Sequence, residues 1–369
     1  MPIYMDRHDV SETVTAENVA QLHQADLKVQ DTFNCKGLTY WFDGKRKTAF
    51  CLIEAPDRDS ISRMHEYAHG EVPNRIIEVD DSVVESFLGR IADPENSQNT
   101  GLNIINDPAF RTIMVARIKR SSLKHVTPEQ IHSVIENYNK SIVTALNKFK
   151  GSIVKQKRDY FLSSFDSVTN AVLCAQEIQA ALWTPAHNGD DPGIKLKIGL
   201  SAGSPVTEKE GLFEDTIKKA ERLCEVVKGQ IVVSSEVKEL YESEISNISI
   251  DTKYITALNS NDETFISLLM DYTEREWTNA TLNVNDFSRC LGYSKAQLYR
   301  KMTSITGMSP NSFIKEYRLD KALKLLSRRV ESISQIAFET GFNSASYFSR
   351  CFQETFGILP SYYIKSFCH

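Results

Sequence analysis

Two groups of residues in this 369-residue sequence have the types and spacing to do chemistry. Four of its eight histidines, His8, His23, His65 and His69, fall within the first 69 residues, as does Cys51. Neutral imidazole is the commonest protein ligand for borderline metals such as zinc and nickel, so this enrichment predicts that a divalent transition metal binds here. His8, His23, His65 and Cys51 are the candidate ligands. His65-Glu66-Tyr67-Ala68-His69 also fits the H-E-x-x-H string, in which two histidines one turn apart hold zinc and the glutamate activates water. No third ligand and no cleft-forming domain follow it, so proteolysis is not expected.

The second group lies at the other end of the chain and is repeated. Laying residues 286–314 over 335–364 pairs Gly292-Tyr293-Ser294 with Gly341-Phe342-Asn343, and Leu298-Tyr299-Arg300-Lys301 with Tyr347-Phe348-Ser349-Arg350, at an offset of 49. Gly307, Pro310 and Phe313 pair with Gly357, Pro360 and Tyr363 at 50. Each copy reads as a helix-turn-helix. A first helix (284–290; 333–339) ends at a glycine able to take positive φ, an aromatic fills the core, and a Ser or Asn opens the second helix. Leu298 and Met302, or Phe348 and Phe352, turn inward at i, i+4. The outward faces are then Ala296, Tyr299 and Arg300 in one copy and Ala345, Ser346, Ser349 and Arg350 in the other. Arginine can contact guanine O6 and N7 together, and small side chains let a helix enter the groove. Two such helices about 34 Å apart would meet successive major grooves on one face of double-stranded DNA.

The elements that must position these residues fall into three blocks. Residues 1–80 read strand, helix, strand, strand, helix, strand (3–8, 16–29, 38–42, 48–53, about 57–69 and 75–79), the plan of a split βαβ or ferredoxin-like α+β domain. Residues 81–108, with the polar run 93–99, read as a linker carrying one short helix. Residues 109–256 alternate strands (112–118, 152–155, 160–165, 196–203, 230–234) with helices (128–148, 168–182, 216–227), which predicts a second α+β domain around a mostly antiparallel sheet. From 263 to 369 only short helices joined by Gly, Asn and Pro turns remain. The fold class is therefore multidomain: two α+β domains followed by an all-α double helix-turn-helix domain.

Residues 263–367 resemble the AraC family of regulators, through Ile336-Ala337, Gly341-Phe342, Ser346-Tyr347-Phe348, Arg350, Phe352, Gly357, Pro360 and Tyr363. The resemblance implies that the outward faces read bases. Gln353 stands where a Lys is usual and Leu359 where a Thr or Ser is common. Residues 111–240 resemble the class III nucleotide cyclase domain, through Val115-Ala116-Arg117-Ile118, the segment Gly151-Ser152-Ile153-Val154-Lys155 to Arg158-Asp159-Tyr160-Phe161, and Lys219-Ala220-Glu221-Arg222-Leu223. That likeness implies a nucleotide site with Lys155, Asp159 and Arg222 and a homodimer built through this domain. It implies no catalysis: Arg117 replaces one of the two metal-binding aspartates, and a fixed positive charge repels Mg²⁺. Residues 1–80 resemble small ferredoxin-like proteins, one of which binds nickel, through Tyr4-Met5-Asp6-Arg7-His8, His23-Gln24-Ala25-Asp26-Leu27 and Phe50-Cys51-Leu52-Ile53-Glu54-Ala55-Pro56. Nickel is the first candidate metal on that ground.

Composition agrees with this reading. The chain is 41% hydrophobic and 25% charged, its net charge of −5 falls mainly on the first two blocks, and residues 263–369 carry 13 Lys+Arg against 10 Asp+Glu. No apolar run approaches the length needed to span a bilayer. The seven cysteines are scattered without a Cys-x-x-Cys pair, and the first residues show neither a secretion signal nor a lipidation site, so a cytoplasmic protein with reduced thiols is expected. The function expected is a sequence-specific transcriptional regulator with ligand- or metal-sensing modules, not an enzyme. The rival is a nucleotide cyclase or metal-dependent enzyme fused to a DNA-binding domain.

Overall fold

The computed structural model describes residues 1–94, 102–124, 126–182, 193–244, 254–328 and 331–367. The first unit runs β1 (Ile3–Asp9), α1 (Ala16–Val29), β2 (Lys36–Asp43), β3 (Thr48–Glu54), α2 (Arg58–Ala68) and β4 (Arg75–Val79). Local signals set the helix starts: the Thr15 side chain caps α1 within a capping box with Asn18, and the Asp57 carboxylate accepts from the Ser60 amide to cap α2. The four strands are antiparallel, in the order β2-β3-β1-β4. Strand alternation divides their side chains. Tyr4, Tyr40, Phe42, Cys51 and Ile53 pack with the helices, whereas Met5, Trp41, Phe50, Leu52 and Ile77 point to the opposite face.

That opposite face is covered by the second unit. After α3 (Asp81–Leu88), the chain forms β5 (Arg111–Arg120), α4 (Pro128–Lys148), β6 (Ser152–Lys157), β7 (Tyr160–Phe165), α5 (Val168–Leu182), β8 (Ile194–Gly203), α6 (Glu214–Val226), β9 (Ile231–Val233), α7 (Ser235–Glu244) and β10 (Ile255–Ala257). The six strands lie in the order β10-β9-β8-β5-β7-β6, with β8–β9 and β9–β10 parallel and the other pairs antiparallel. Ile113, Val115, Tyr160 and Leu162 join the first unit's Met5, Trp41, Phe50 and Leu52, with Phe87 and Leu88 of α3, in one apolar cluster.

The segment expected to be a linker is therefore structural. Residues 95–101, which include most of its polar run, lie outside the described residues, but the rest is anchored. The Asp93 amide donates to Leu38 O (3.1 Å) and the Phe42 amide to Asp107 O (3.0 Å), which pairs off the exposed edge of β2. Ile105 is buried, and Arg111 donates to the carbonyls of Phe87 and Leu88 at the end of α3. A polar composition concealed these contacts because most of them use backbone atoms. Helix α7 and the three-residue β10 also had no strong periodic signal and were not anticipated.

The third unit is helical: α8 (Ser260–Glu276), α9 (Val284–Leu291), α10 (Lys295–Thr306), α11 (Pro310–Arg328), α12 (Ile333–Glu339), α13 (Ala345–Phe356) and α14 (Pro360–Phe367). It is docked onto the second unit at two places. Leu223, Val226 and Val227 at the end of α6 share a cluster with Phe265 and Leu269 of α8 and with Leu298 and Met302 of α10. Leu319, Phe348, Phe352, Phe356 and Tyr363 join the cluster that contains Met114, Ala116 and Ile118 of β5. Backbone bonds mark both seats: the Lys228 amide donates to Ile305 O (2.9 Å) and the Leu123 amide to Phe356 O (2.7 Å). Both acceptors are in the last turn of α10 or α13, where helical carbonyls lack intrahelical partners.

The equivalent glycines of the two repeats differ in their surroundings. Gly292 (φ +73°) has open space where a Cβ would lie, whereas a Cβ on Gly341 (φ +78°) would sit 2.7 Å from Trp277 O and 2.9 Å from Arg318 Nε. Arg318 Nε donates to that same carbonyl at 2.8 Å. Gly292→Ala should cost about 1–2 kcal/mol for its left-handed backbone alone, and Gly341→Ala measurably more, because the Arg318 contact must also break. Urea denaturation of both variants would test the order; equal losses would mean that the Trp277–Arg318 contact contributes nothing.

Candidate DNA-reading faces, a buried imidazole–carboxylate cluster and a basic cavity

Each helix-turn-helix is assembled from local caps. In the first, Asn283 forms a capping box with Asp286 at α9, Gly292 takes the left-handed conformation at its end, and Ser294 forms a second box with Gln297 at α10. In the second, Ser332 and Gln335 cap α12, and the Ser344 hydroxyl, rather than Asn343, accepts from the Tyr347 amide to cap α13. The extra residue of the second repeat thus lies in the turn. Helix α13 starts 50 residues after α10, so Ala296, Tyr299 and Arg300 correspond to Ser346, Ser349 and Arg350.

Leu298, Met302, Phe348 and Phe352 are buried as the spacing predicted. Ala296, Arg300, Ser346 and Arg350 are exposed, Tyr299 is 54% exposed, and Ser349 is half-buried. Ala345, the first residue of α13, is half-buried like Ser349 and packs partly against the core. Two exposed residues on these helices were missed, Gln297 and Tyr347, which occupy equivalent positions. The Arg350 guanidinium lies 5.3 Å from the centre of the Tyr347 ring. The helix cap, had it been placed at Ser344, would have revealed them.

In the first unit the structure gathers most of the expected metal-ligand candidates, around two carboxylates that sequence reasoning overlooked. Asp6 on β1 is fully buried, and its oxygens lie 3.4 Å from His8 Nε2 and 2.9 Å from His65 Nε2. It also accepts from the Cys51 amide at 2.8 Å. On the far side of His65, Asp26 Oδ1 lies 3.1 Å from both His65 Nδ1 and His69 Nε2. Two trios result, Asp6–His8–Cys51 and Asp26–His65–His69, and within each the candidate ligand atoms all lie within 4.8 Å of one another.

His23 is not part of this cluster. Its ring lies against Tyr40, with Nε2 3.3 Å from Asp93, while Asp26, three residues further along α1, turns toward α2 instead. Burial disfavours a charged imidazole at His65, but the Asp26 and Asp6 carboxylates outweigh it and push its pKa up to about 10. For Asp6, burial is likewise outweighed by His8 and His65, which hold its carboxyl well below the usual range. Burial, reinforced by Asp6, pushes the Cys51 thiol up. The donor set of imidazole, carboxylate and thiol suits a borderline divalent metal. His8 Nε2 and Asp26 Oδ1 are buried without a well-directed hydrogen bond.

In the second unit, Lys155 and Asp159 line a cavity of about 570 Å³ together with Arg117 and Tyr160. Arg222 does not join them. Its guanidinium is bound to Asp271 (2.5 Å), Glu274 (3.0 Å) and the Ser267 carbonyl (3.3 Å) of α8, so it holds the helical unit in place instead of facing the cavity. Burial opposes Arg117's charge, but nearby Glu225 (3.5 Å) outweighs it and keeps the side chain firmly protonated.

Residues 287–366 match the helix-turn-helix domain family, and residues 4–79 match the family described as nickel responsive protein SCO4226-like. One relative, the HTH-type transcriptional regulator MtrA of Neisseria gonorrhoeae, is 31% identical over 100 residues, which are 27% of this chain and 32% of that protein. Histidine kinase P4 of Formosa agariphila is 36% identical over 122 residues, 33% of this chain and 9% of that one. The chain thus spans a third or less of the length of these two relatives. The crystal structure of SCO4226 from Streptomyces coelicolor is 35% identical, over 21% of this chain and 94% of that one, with a TM-score of 0.20. The chain carries an AraC-family helix-turn-helix domain at its C-terminus and a SCO4226-like domain of the nickel-responsive family at its N-terminus.

Proposed function

We propose that this protein is a cytoplasmic transcriptional regulator that binds double-stranded DNA in a sequence-specific way through both repeats of its C-terminal domain. The observation that carries the reading is the pair of capped helices, α10 and α13, each fixed to a core by two large buried side chains and presenting an exposed arginine beside small or aromatic residues. Ala296, Tyr299, Arg300, Ala345, Ser346, Ser349 and Arg350 form the reading faces, with Arg300 and Arg350 contributing most because a guanidinium can make two directed bonds to guanine. Gln297 and Tyr347 extend those faces.

In this reading the N-terminal domain, ferredoxin-like in its strand order, takes up nickel or another divalent transition metal. The holding residues are His8, Cys51 and Asp6 on one side and His65, His69 and Asp26 on the other. Such an ion would supply positive charge between the two buried carboxylates, which His65 otherwise provides. The middle domain is a cyclase-like module without cyclase activity, since Arg117 stands where a metal-binding carboxylate is needed.

Three outcomes are expected. On the specific site, Arg300→Ala and Arg350→Ala should each lose about 1–3 kcal/mol of binding and relax base preference locally, as read by footprinting of the full chain. Equal weakening on random DNA would assign those arginines to phosphates. Calorimetry with Ni²⁺ should show saturable uptake by the full chain that is lost in His65→Ala and His69→Ala but retained in His23→Ala; uptake that depended on His23 would refute the cluster. Purified protein given ATP or GTP with Mn²⁺ should make no cyclic nucleotide, and product abolished by Asp159→Ala would promote the enzyme reading.

A further inference from the structure

Helix α11 belongs to both helix-turn-helix repeats, and its side chains divide between them. Phe313, Ile314 and Tyr317, from its first half, pack in the cluster that holds Leu298 and Met302 of the first repeat. Leu319, Ala322 and Leu326, from its second half, pack with Phe348 and Phe352 of the second. Among the described residues the two repeats thus have separate apolar clusters, and the changeover falls at Arg318. That side chain is only 8% exposed. Its Nε donates to Trp277 O at 2.8 Å and its Nη2 to Asn279 O at 2.7 Å, so one planar group holds two carbonyls of the turn between α8 and α9. Hydrogen bonds continue from that turn to the first helix-turn-helix. Asn279 Oδ1 accepts from the Thr281 amide, and Asn283, whose side chain caps α9, donates from Nδ2 to Thr281 O. The second repeat meets the same guanidinium at its own turn, since a Cβ on Gly341 would lie 2.9 Å from Nε and 3.0 Å from Cζ.

Holding a charge at this junction is costly, and burial pulls the Arg318 pKa below the ordinary arginine value. An apolar side chain of similar volume would fill the space without that cost. What a guanidinium adds is a rigid fork of donors in fixed directions. We propose that Arg318 is the positioning residue that fixes α13 relative to α10, and so makes the spacing between two half-sites part of what the protein recognises. Apolar packing along α11 is non-directional. Two directed bonds into the first repeat, with the glycine turn of the second seated on the same group, convert that packing into one defined arrangement. One base pair moves a half-site by about 3.4 Å along the duplex and about 35° around it, far more than a hydrogen bond tolerates. Fixed repeats therefore discriminate between spacings, whereas repeats able to shift do not. The inference deepens the regulator reading and rests on it.

The test uses the full chain. A duplex that it binds specifically is selected from a random pool, and its half-sites are mapped by footprinting. Affinity is then measured for that duplex, for versions with one base pair inserted or removed between the half-sites, and for a single half-site. The unsubstituted chain should lose about tenfold or more on either change of spacing, the size of one misplaced base contact. Arg318→Lys, which keeps the charge and loses the fork, should bind the single half-site unchanged but reduce the spacing penalty to about threefold or less. A loss of stability alone would weaken every duplex alike and leave that ratio where it was. Gly341→Ala, which keeps Arg318 and displaces the turn from it, should reduce the penalty in the same way. Gly292→Ala, with a similar left-handed backbone but open space around it, should not, and this pair decides the matter if Arg318→Lys does not fold. A full spacing penalty in Arg318→Lys, equal penalties in the two glycine variants, or specific binding by the unsubstituted chain that ignores spacing would each overturn the inference and leave the regulator reading standing. An unsubstituted chain that selects no duplex would sink that reading and the inference with it.

Discussion

Strand β5 is the constraint on which the rest of the structure depends. It is paired with β8 along its whole length and with β7 from Thr112 to Arg117, so its register is fixed. Alternation then sends Ile113 and Val115 into the core shared with the N-terminal sheet, and Met114, Ala116 and Ile118 into the core shared with α4, α5 and the second helix-turn-helix. A slip of one residue would exchange the two sets and unseat both neighbours. The three units are thus not beads on flexible linkers. Each large apolar side chain in these seams contributes about 1.5–3 kcal/mol by leaving water, and a dozen or more are involved.

The N-terminal cluster obeys a different constraint, the cost of burying charge. Asp6 and Asp26 lie in a low-dielectric interior, where an unpaired carboxylate is not tolerated. His65 sits between them, and its imidazolium, held by both, balances part of that charge. The same geometry that stabilises a proton on His65 also brings six side chains of the kinds that can ligate a metal into two neighbouring trios. Within the cluster, His8 Nε2 and Asp26 Oδ1 remain without a well-directed hydrogen bond.

At the other end of the chain, docking sets the geometry of the DNA-binding unit. The last turns of α10 and α13 each receive a backbone amide from the middle unit, at Lys228 and Leu123. Arg222 and Lys218 add ion pairs to Asp271 and Glu274 on α8. The second unit therefore holds both repeats at the ends opposite their N-caps and leaves the outward faces of α10 and α13 exposed.

Much of this was legible in the sequence, because the signals that set it act over a few residues. The Thr15 and Asp57 caps, the strand of residues 160–165, the helix of residues 128–148 and the inward pairs Leu298–Met302 and Phe348–Phe352 all follow from i, i+3 and i, i+4 contacts or from strand alternation. The repeat itself was visible, although its extra residue belongs in the turn at Ser344, where only the observed cap locates it. Contacts between distant residues were decided by tertiary structure. Asp6 meets His65 across 59 positions of chain, and a shift of three residues along α1 exchanges the expected His23 for Asp26. Arg222 is claimed by α8, and the cavity beside Asp159 gains its second wall from α11. Periodicity tells which side of an element faces inward; only the packing of whole elements determines what that side meets.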